Sequence, residues 1–120
     1  IADAAVEGLD EDGGLAYESE NENRISEKHW WPQAEAMIGF FNAYQITGDE
    51  KYFQYSLGCW RFTSNYIRDH QHGEWFWGVY TDHSLMQGHD KVGLWKCPYH
   101  NARACMELIR RIEPIYNLSD

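Results

Sequence analysis

The sequence predicts an all-α fold with decorated loops, on three observations. Trp30 to Ile46 and about Glu50 to Arg68 repeat apolar residues at helical spacing. Each pattern opens on a helix-entry signal, Pro32 or Asp49, and a third pattern, about Tyr99 to Ile112, follows Pro98. Between the second and third lies His70 to Lys96, which carries no sustained period and is broken by glycines.

In chain order, Ile1 to Glu7 reads as the last turns of a helix stopped by a left-handed Gly8. The chain opens on Ile1 in mid-pattern, without Met, and reads as a piece of something longer. Leu9 to Glu18 is turn chemistry followed by a short strand. Ser19 to Glu27 is polar, acidic and without period, hence loop; it lacks the ligand spacing and closing Glu of an EF-hand. In the first long helix Trp30, Ala34, Met37, Phe41 and Tyr44 form one stripe and Ala36, Phe40 and Ala43 a second. Such a helix is buried on most sides. Trp31, Glu35 and Ile38 share a third line, which sets a carboxylate one turn from an indole. An isolated carboxylate is costly to bury, so Glu35 needs a polar partner or a wet pocket. Thr47-Gly48-Asp49 then turns the chain into a helical hairpin. The second helix carries Phe53, Leu57, Trp60, Ser64 and Ile67 on one stripe and Tyr52, Tyr55, Cys59, Phe62 and Tyr66 on the other. Gly73 to Tyr80 fits a short strand or hairpin within the long irregular segment. The last helix places Ala102, Cys105, Ile109 and Ile112 on a buried line and ends at Pro114.

Composition narrows the function. A chain of 120 residues makes at most one ordinary domain. A net charge of −9 argues against nucleic acid and anionic membranes as partners. That charge sits in residues 1–50, where twelve Asp/Glu face only Arg24 and Lys28. No apolar run reaches membrane-span length, no signal peptide is visible, and three cysteines form no paired framework, which fits a reducing cytoplasm. Six Trp and eight Tyr exceed what a helical bundle needs; sugar-binding proteins use such rings to stack on pyranoses, and a heavily aromatic core is the plainer use.

The chemistry concentrates in Trp95-Lys96-Cys97-Pro98-Tyr99-His100-Asn101-Ala102-Arg103. Pro98 suits a helix entrance, which puts His100 and Asn101 in the first turn. The helix dipole disfavours an imidazolium there and favours the neutral ring that a general base needs. The residues alone leave two readings open, a general base or a helix-capping His packed on aromatics. A zinc site from His89, Cys97, His100 and Cys105 lacks any CxxC or HExxH spacing and is not expected.

Three stretches carry a family resemblance: Leu9-Asp10-Glu11-Asp12-Gly13-Gly14, Lys28-His29-Trp30-Trp31-Pro32-Gln33-Ala34-Glu35 and Trp95-Lys96-Cys97-Pro98-Tyr99-His100-Asn101. In order and separation they resemble the C-terminal third of cellobiose 2-epimerases, within the N-acylglucosamine 2-epimerase family. The likeness runs to about Ile112. It implies that residues 1–120 are the C-terminal portion of an (α/α)6 barrel. It implies reversible epimerisation at C2 of the reducing-end sugar of β-1,4-linked disaccharides such as cellobiose, without metal or organic cofactor. Two histidines would exchange the C2 proton through a cis-enediolate. The match places one of them at His100, with Trp31 and Trp95 as sugar-stacking indoles and Glu35 as a polar pocket residue. The second His and an Arg near the carbonyl oxygen belong to an N-terminal part that this sequence lacks. His29, His70, His72, His83 and His89 do not match the second His. The 120 residues alone are therefore expected to be inactive, and to need the N-terminal part or self-association to cover the two-striped helix. A non-catalytic carbohydrate-binding piece and a glycoside hydrolase or lyase on the same architecture are the rivals; a hydrolase needs two carboxylates, and only Glu35 sits in a pocket motif.

Overall fold

The computed structural model describes residues 1–20 and 23–117. Its elements are α1 (Ala2–Val6), β1 (Glu18–Glu20), β2 (Asn23–Ile25), β3 (Lys28–His29), α2 (Trp30–Thr47), α3 (Glu50–Phe62), a π-turn (Thr63–Ile67), β4 (Gly78–Val79) and α4 (Tyr99–Asn117). The chain is mostly helical with a few short strands, as its periodicity predicts.

Helix α2 is the axis of the core. Trp30, Ala34, Met37 and Phe41 on one stripe and Ala36 and Phe40 on the other are all buried. Gly48 ends the helix at φ +70°, where its N–H donates to the Tyr44 carbonyl at 2.8 Å. The Asp49 carboxylate then accepts from the Lys51 N–H at 3.1 Å and starts α3. Ser56 Oγ donates to the Met37 carbonyl at 2.8 Å and locks the hairpin. Tyr52, Cys59, Phe62 and Ile67 close the core against α2.

The sequence reading needs four corrections. Gly8 does not adopt a left-handed conformation; α1 ends at Glu7 with right-handed angles, and local N–H bonds suffice to stop so short a helix. Ser19 to Glu27 is not all loop, because β1 and β2 pair antiparallel with Glu18 opposite Ile25; residues 21 and 22 lie outside the described residues. Pro114 lies inside α4 rather than ending it. Its fixed φ fits a helix, and the bond it forfeits is to the carbonyl of the solvent-exposed Arg110. The buried line of α4 is also rotated: Asn101 and Ala104 face inward, while Ile109 and Ile112 are 63% and 44% exposed. The last two edge an open apolar groove of about 300 Å³ with Phe53, Leu57 and Trp60.

The three resembling stretches meet in space. Gly13 sits at φ +86° against the backbone of Gly58. Its turn presents Asp10 and Asp12 to the buried Lys28 ammonium, at 2.8 and 3.5 Å. Gln33, wholly buried, exchanges two 2.8 Å hydrogen bonds with the Leu15 backbone. Strand β3 pairs antiparallel with β4, His29 opposite Gly78. A Cβ at Gly78 would lie 2.7 Å from the Lys28 carbonyl, so glycine is what lets the strands close. The start of α2 is thus held from both sides before any site residue appears.

Candidate active site

His100 occupies the first turn of α4, after Pro98, whose carbonyl accepts the Ala102 N–H at 2.9 Å. Glu35 comes from α2, one turn beyond Trp31. The two meet 65 residues apart in sequence, His100 Nδ1 lying 2.8 Å from Glu35 Oε1. Arg103, one turn along α4 from His100, donates from Nη2 to the same oxygen. Burial raises the Glu35 pKa, but the hydrogen bonds from Arg103 and His100 outweigh it and hold the carboxyl below its ordinary value. An ionised Glu35 only accepts, so the proton between the two groups belongs to His100 Nδ1. A neutral His100 then carries its free lone pair on Nε2, the arrangement of a general base oriented by a carboxylate.

Aromatic rings wall the pair. The Trp31 and His100 centroids are 6.0 Å apart, and Tyr17 meets Trp31 edge-on at 6.2 Å. Tyr99 sets its ring across His100 at 5.1 Å, and the Arg103 guanidinium lies over Tyr99 at 5.4 Å. Trp31, Tyr17 and Glu35 line one end of an apolar cavity of about 670 Å³ between α1 and α2. The side chains of His100 and Glu35 are 35% and 38% exposed, within reach of a small polar ligand.

The structure therefore brings His100, Glu35 and Trp31 together. It does not bring Trp95 to them: that indole stands 82% exposed on the loop before α4, with no ring contact among the described residues. Tyr99 and Arg103 lie in the stretch where the sequence concentrates the chemistry but carry no assigned role there, and Tyr17 is not singled out at all. The spacing of Arg103, three after His100, is a signal for a shared helix face. Tyr17 carries no such signal and arrives through the Leu15–Gln33 exchange. Of the other histidines, His29 stacks on Tyr17 and pairs with Glu27, while His83 meets Tyr66 and Asp12 and His89 stacks on Trp77, away from the pair. His70 and His72 meet the Ser64 carbonyl and Asp69. Among the described residues no group of three His, Cys, Asp or Glu side chains converges as a metal site. Cys59, Cys97 and Cys105 are free thiols, and no helix described is long and apolar enough to cross a membrane.

Comparison with known proteins decides the family. The N-acylglucosamine 2-epimerase (GlcNAc 2-epimerase) pattern matches residues 1–104. The chain belongs to this family. It is 46% identical over 111 residues to a cellobiose 2-epimerase of Bacteroides fragilis, covering 91% of this chain and 28% of that protein. The solved structure of cellobiose 2-epimerase from Spirochaeta thermophila superposes with a TM-score of 0.88 at 37% identity, over 97% of this chain and 30% of that one. A D-mannose isomerase of Marinomonas mediterranea is 28% identical over 102 residues, covering 83% of this chain and 26% of that protein. The chain thus spans less than a third of the length of these relatives, all of which are sugar epimerases or isomerases by name.

Proposed function

We propose that the chain is the C-terminal part of an (α/α)6-barrel sugar epimerase, in which His100 exchanges the C2 proton of the reducing-end sugar of a β-1,4-linked disaccharide such as cellobiose. The observation that carries the proposal is the His100–Glu35–Arg103 cluster beside Trp31, on a chain of this family. His100 Nε2 takes the C2 proton of the open-chain aldose; the C2–H electron pair forms the C1–C2 double bond as the C1=O π pair moves onto O1, giving an enediolate. Ionised Glu35 offsets the charge that the proton puts on the ring. A second histidine, outside this sequence, returns a proton to the opposite face of C2. Return to C1 instead would give the ketose. A proton α to a carbonyl is weakly acidic, so an oriented base is required. Trp31 and Trp95 are assigned as stacking indoles that orient the sugar and shed water from the enediolate. The reaction as written needs no metal or organic cofactor. The substrate is the partner expected for this surface, with the N-terminal part of the barrel closing the apolar faces of α1, α2 and α4; a self-associated form of the 120 residues would be inactive. The charge and thiols favour a cytoplasmic protein that avoids nucleic acid and membranes.

Incubation of the full-length enzyme with cellobiose in deuterium oxide tests the reading. Deuterium at C2 of both epimers supports it. Cleavage would make the protein a hydrolase or lyase, and neither exchange nor cleavage would make it a carbohydrate binder. His100→Asn should abolish epimerisation while sugar still binds, since base catalysis is worth about 10²–10⁴-fold. Near-wild-type turnover in that variant overturns the assignment of His100.

A further inference from the structure

We propose that Glu74 is a positioning residue for His100, fixing the first turn of α4 through Asn101 and Lys96; this rests on the reading of His100 as a base. Glu74 never touches the imidazole. It sits at φ +63°, in the left-handed region that Glu rarely adopts, at the end of a turn built to present it. In that turn the Gly73 N–H donates to the Asp69 carbonyl at 3.1 Å and the Asp69 N–H to the Glu74 carbonyl at 2.9 Å. The Asp69 carboxylate accepts from the N–H groups of Gln71 and His72 at 2.9 and 3.0 Å. Lys91 ties the turn to the loop before α4, reaching Asp69 Oδ2 at 2.5 Å and the Gly73 carbonyl at 3.0 Å.

The turn converges on one oxygen. Glu74 Oε1 accepts from Lys96 Nζ at 3.0 Å and from Asn101 Nδ2 at 2.7 Å. Lys96 is 1% exposed, an unusual place for a lysine, and also donates to the Lys91 carbonyl at 2.7 Å. An ion pair between a buried lysine and a half-buried carboxylate adds little net stability against an apolar isostere, but its geometry is demanding and it selects one register. Here the register belongs to the four residues Lys96 to Tyr99 that lead into His100. Asn101 is the next residue of α4, about 100° around the helix from His100. One carboxylate, Glu35 on α2, therefore holds the imidazole, while a second, Glu74, holds the same helical turn from another side. Both are needed to keep His100 Nε2 aimed at a fixed point. Burial raises the Glu74 pKa, yet Lys96, the Trp75 N–H and Asn101 outweigh it and keep the carboxylate ionised for this duty.

The test compares Glu74→Gln, Asn101→Ala and His100→Asn in the full-length enzyme, each measured per folded molecule. Asn101→Ala leaves the Lys96–Glu74 pair intact, so it decides the matter even where Glu74→Gln folds poorly. Misplacement of a catalytic group by an ångström costs about 10²-fold, so each of the first two variants should lower kcat on that scale with KM little changed. The acid limb of the kcat profile should also move, because the His100–Glu35 bond loosens, and the double variant should be no worse than Glu74→Gln alone. A dead His100→Asn beside an Asn101→Ala with wild-type kcat and acid limb overturns the role of Glu74 alone. A His100→Asn that turns over normally overturns the reading of His100, and the Glu74 proposal falls with it.

Discussion

Gly13 and Gly58 touch each other, and alanine at the two positions should act in opposite directions. Gly13 adopts φ +86°, and a Cβ built there lies 2.7 Å from the Gly58 carbonyl oxygen and 2.9 Å from its carbon. Both are backbone atoms of a packed helix and cannot swing aside. The left-handed strain and the forced overpacking each cost about 1–3 kcal/mol, so Gly13→Ala should destabilise by about 2–6 kcal/mol. A Cβ on Gly58 meets only the Gly13 Cα, at 3.6 Å, an ordinary contact. Replacing a glycine inside a helix by alanine should then stabilise by about 0.5–1 kcal/mol. Denaturant midpoints of both variants of the full-length protein, with unchanged m-values, measure the two effects. The Asp10–Gly14 turn thus acts through its shape, holding Lys28 and the start of α2. Midpoints that shift in the same direction, or a Gly13→Ala variant as stable as wild type, would refute it.

Burial and charge set three further outcomes. Trp95→Ala should leave the melting temperature nearly unchanged, because the indole is 82% exposed, and should lower sugar turnover. Trp31→Ala should cost less than the about 3–5 kcal/mol of a core aromatic; a large fall in melting temperature with turnover per folded molecule intact would return that ring to the core. For pH, Glu35 and Glu74 are held below their ordinary value of 4.5 and Asp12 below 3.8. Groups depressed in this way stabilise the folded state above their ordinary values and lose that contribution as pH falls through the folded ones. Denaturation midpoints should therefore drop from pH 5 to pH 3, by less in Glu35→Gln; a rise over that interval would contradict the ion pairs described.

Much of the fold was legible because it is local. The stripes of α2, the left-handed Gly48 and the Asp49 cap are each written within a few residues of where they act. What local pattern leaves open lies at longer range. The strand expected within Gly73 to Tyr80 is present at β4, but its partner β3 pairs with it only because Gly78 lets Lys28 approach, a fact 50 residues away in sequence. The buried line of α4 is set by how that helix leans on α2, which periodicity along α4 alone leaves undetermined. At the site, the sequence singled out His100, Trp31 and Glu35, and the structure brings the three together. Their junction through one carboxylate oxygen, and the share of Arg103 in it, needed three dimensions. Trp95 shows the converse: its motif is plain, yet within this chain it meets none of the others.

The pairing of Glu35 with His100 across 65 residues also sets a timetable. The α2–α3 hairpin closes through near neighbours and can form early, whereas α4 must return across the whole irregular segment between the π-turn and Tyr99. Doubling such a loop adds only about 0.6 kcal/mol to its closure, so its length matters little to stability. Lys91 and Lys96 matter more, since their bonds to Asp69 and Glu74 convert a loose tether into a fixed point of arrival. The His100–Glu35 contact is then the last the chain acquires and the first it gives up. Hydrogen exchange should find the first turn of α4 opening while the hairpin stays closed.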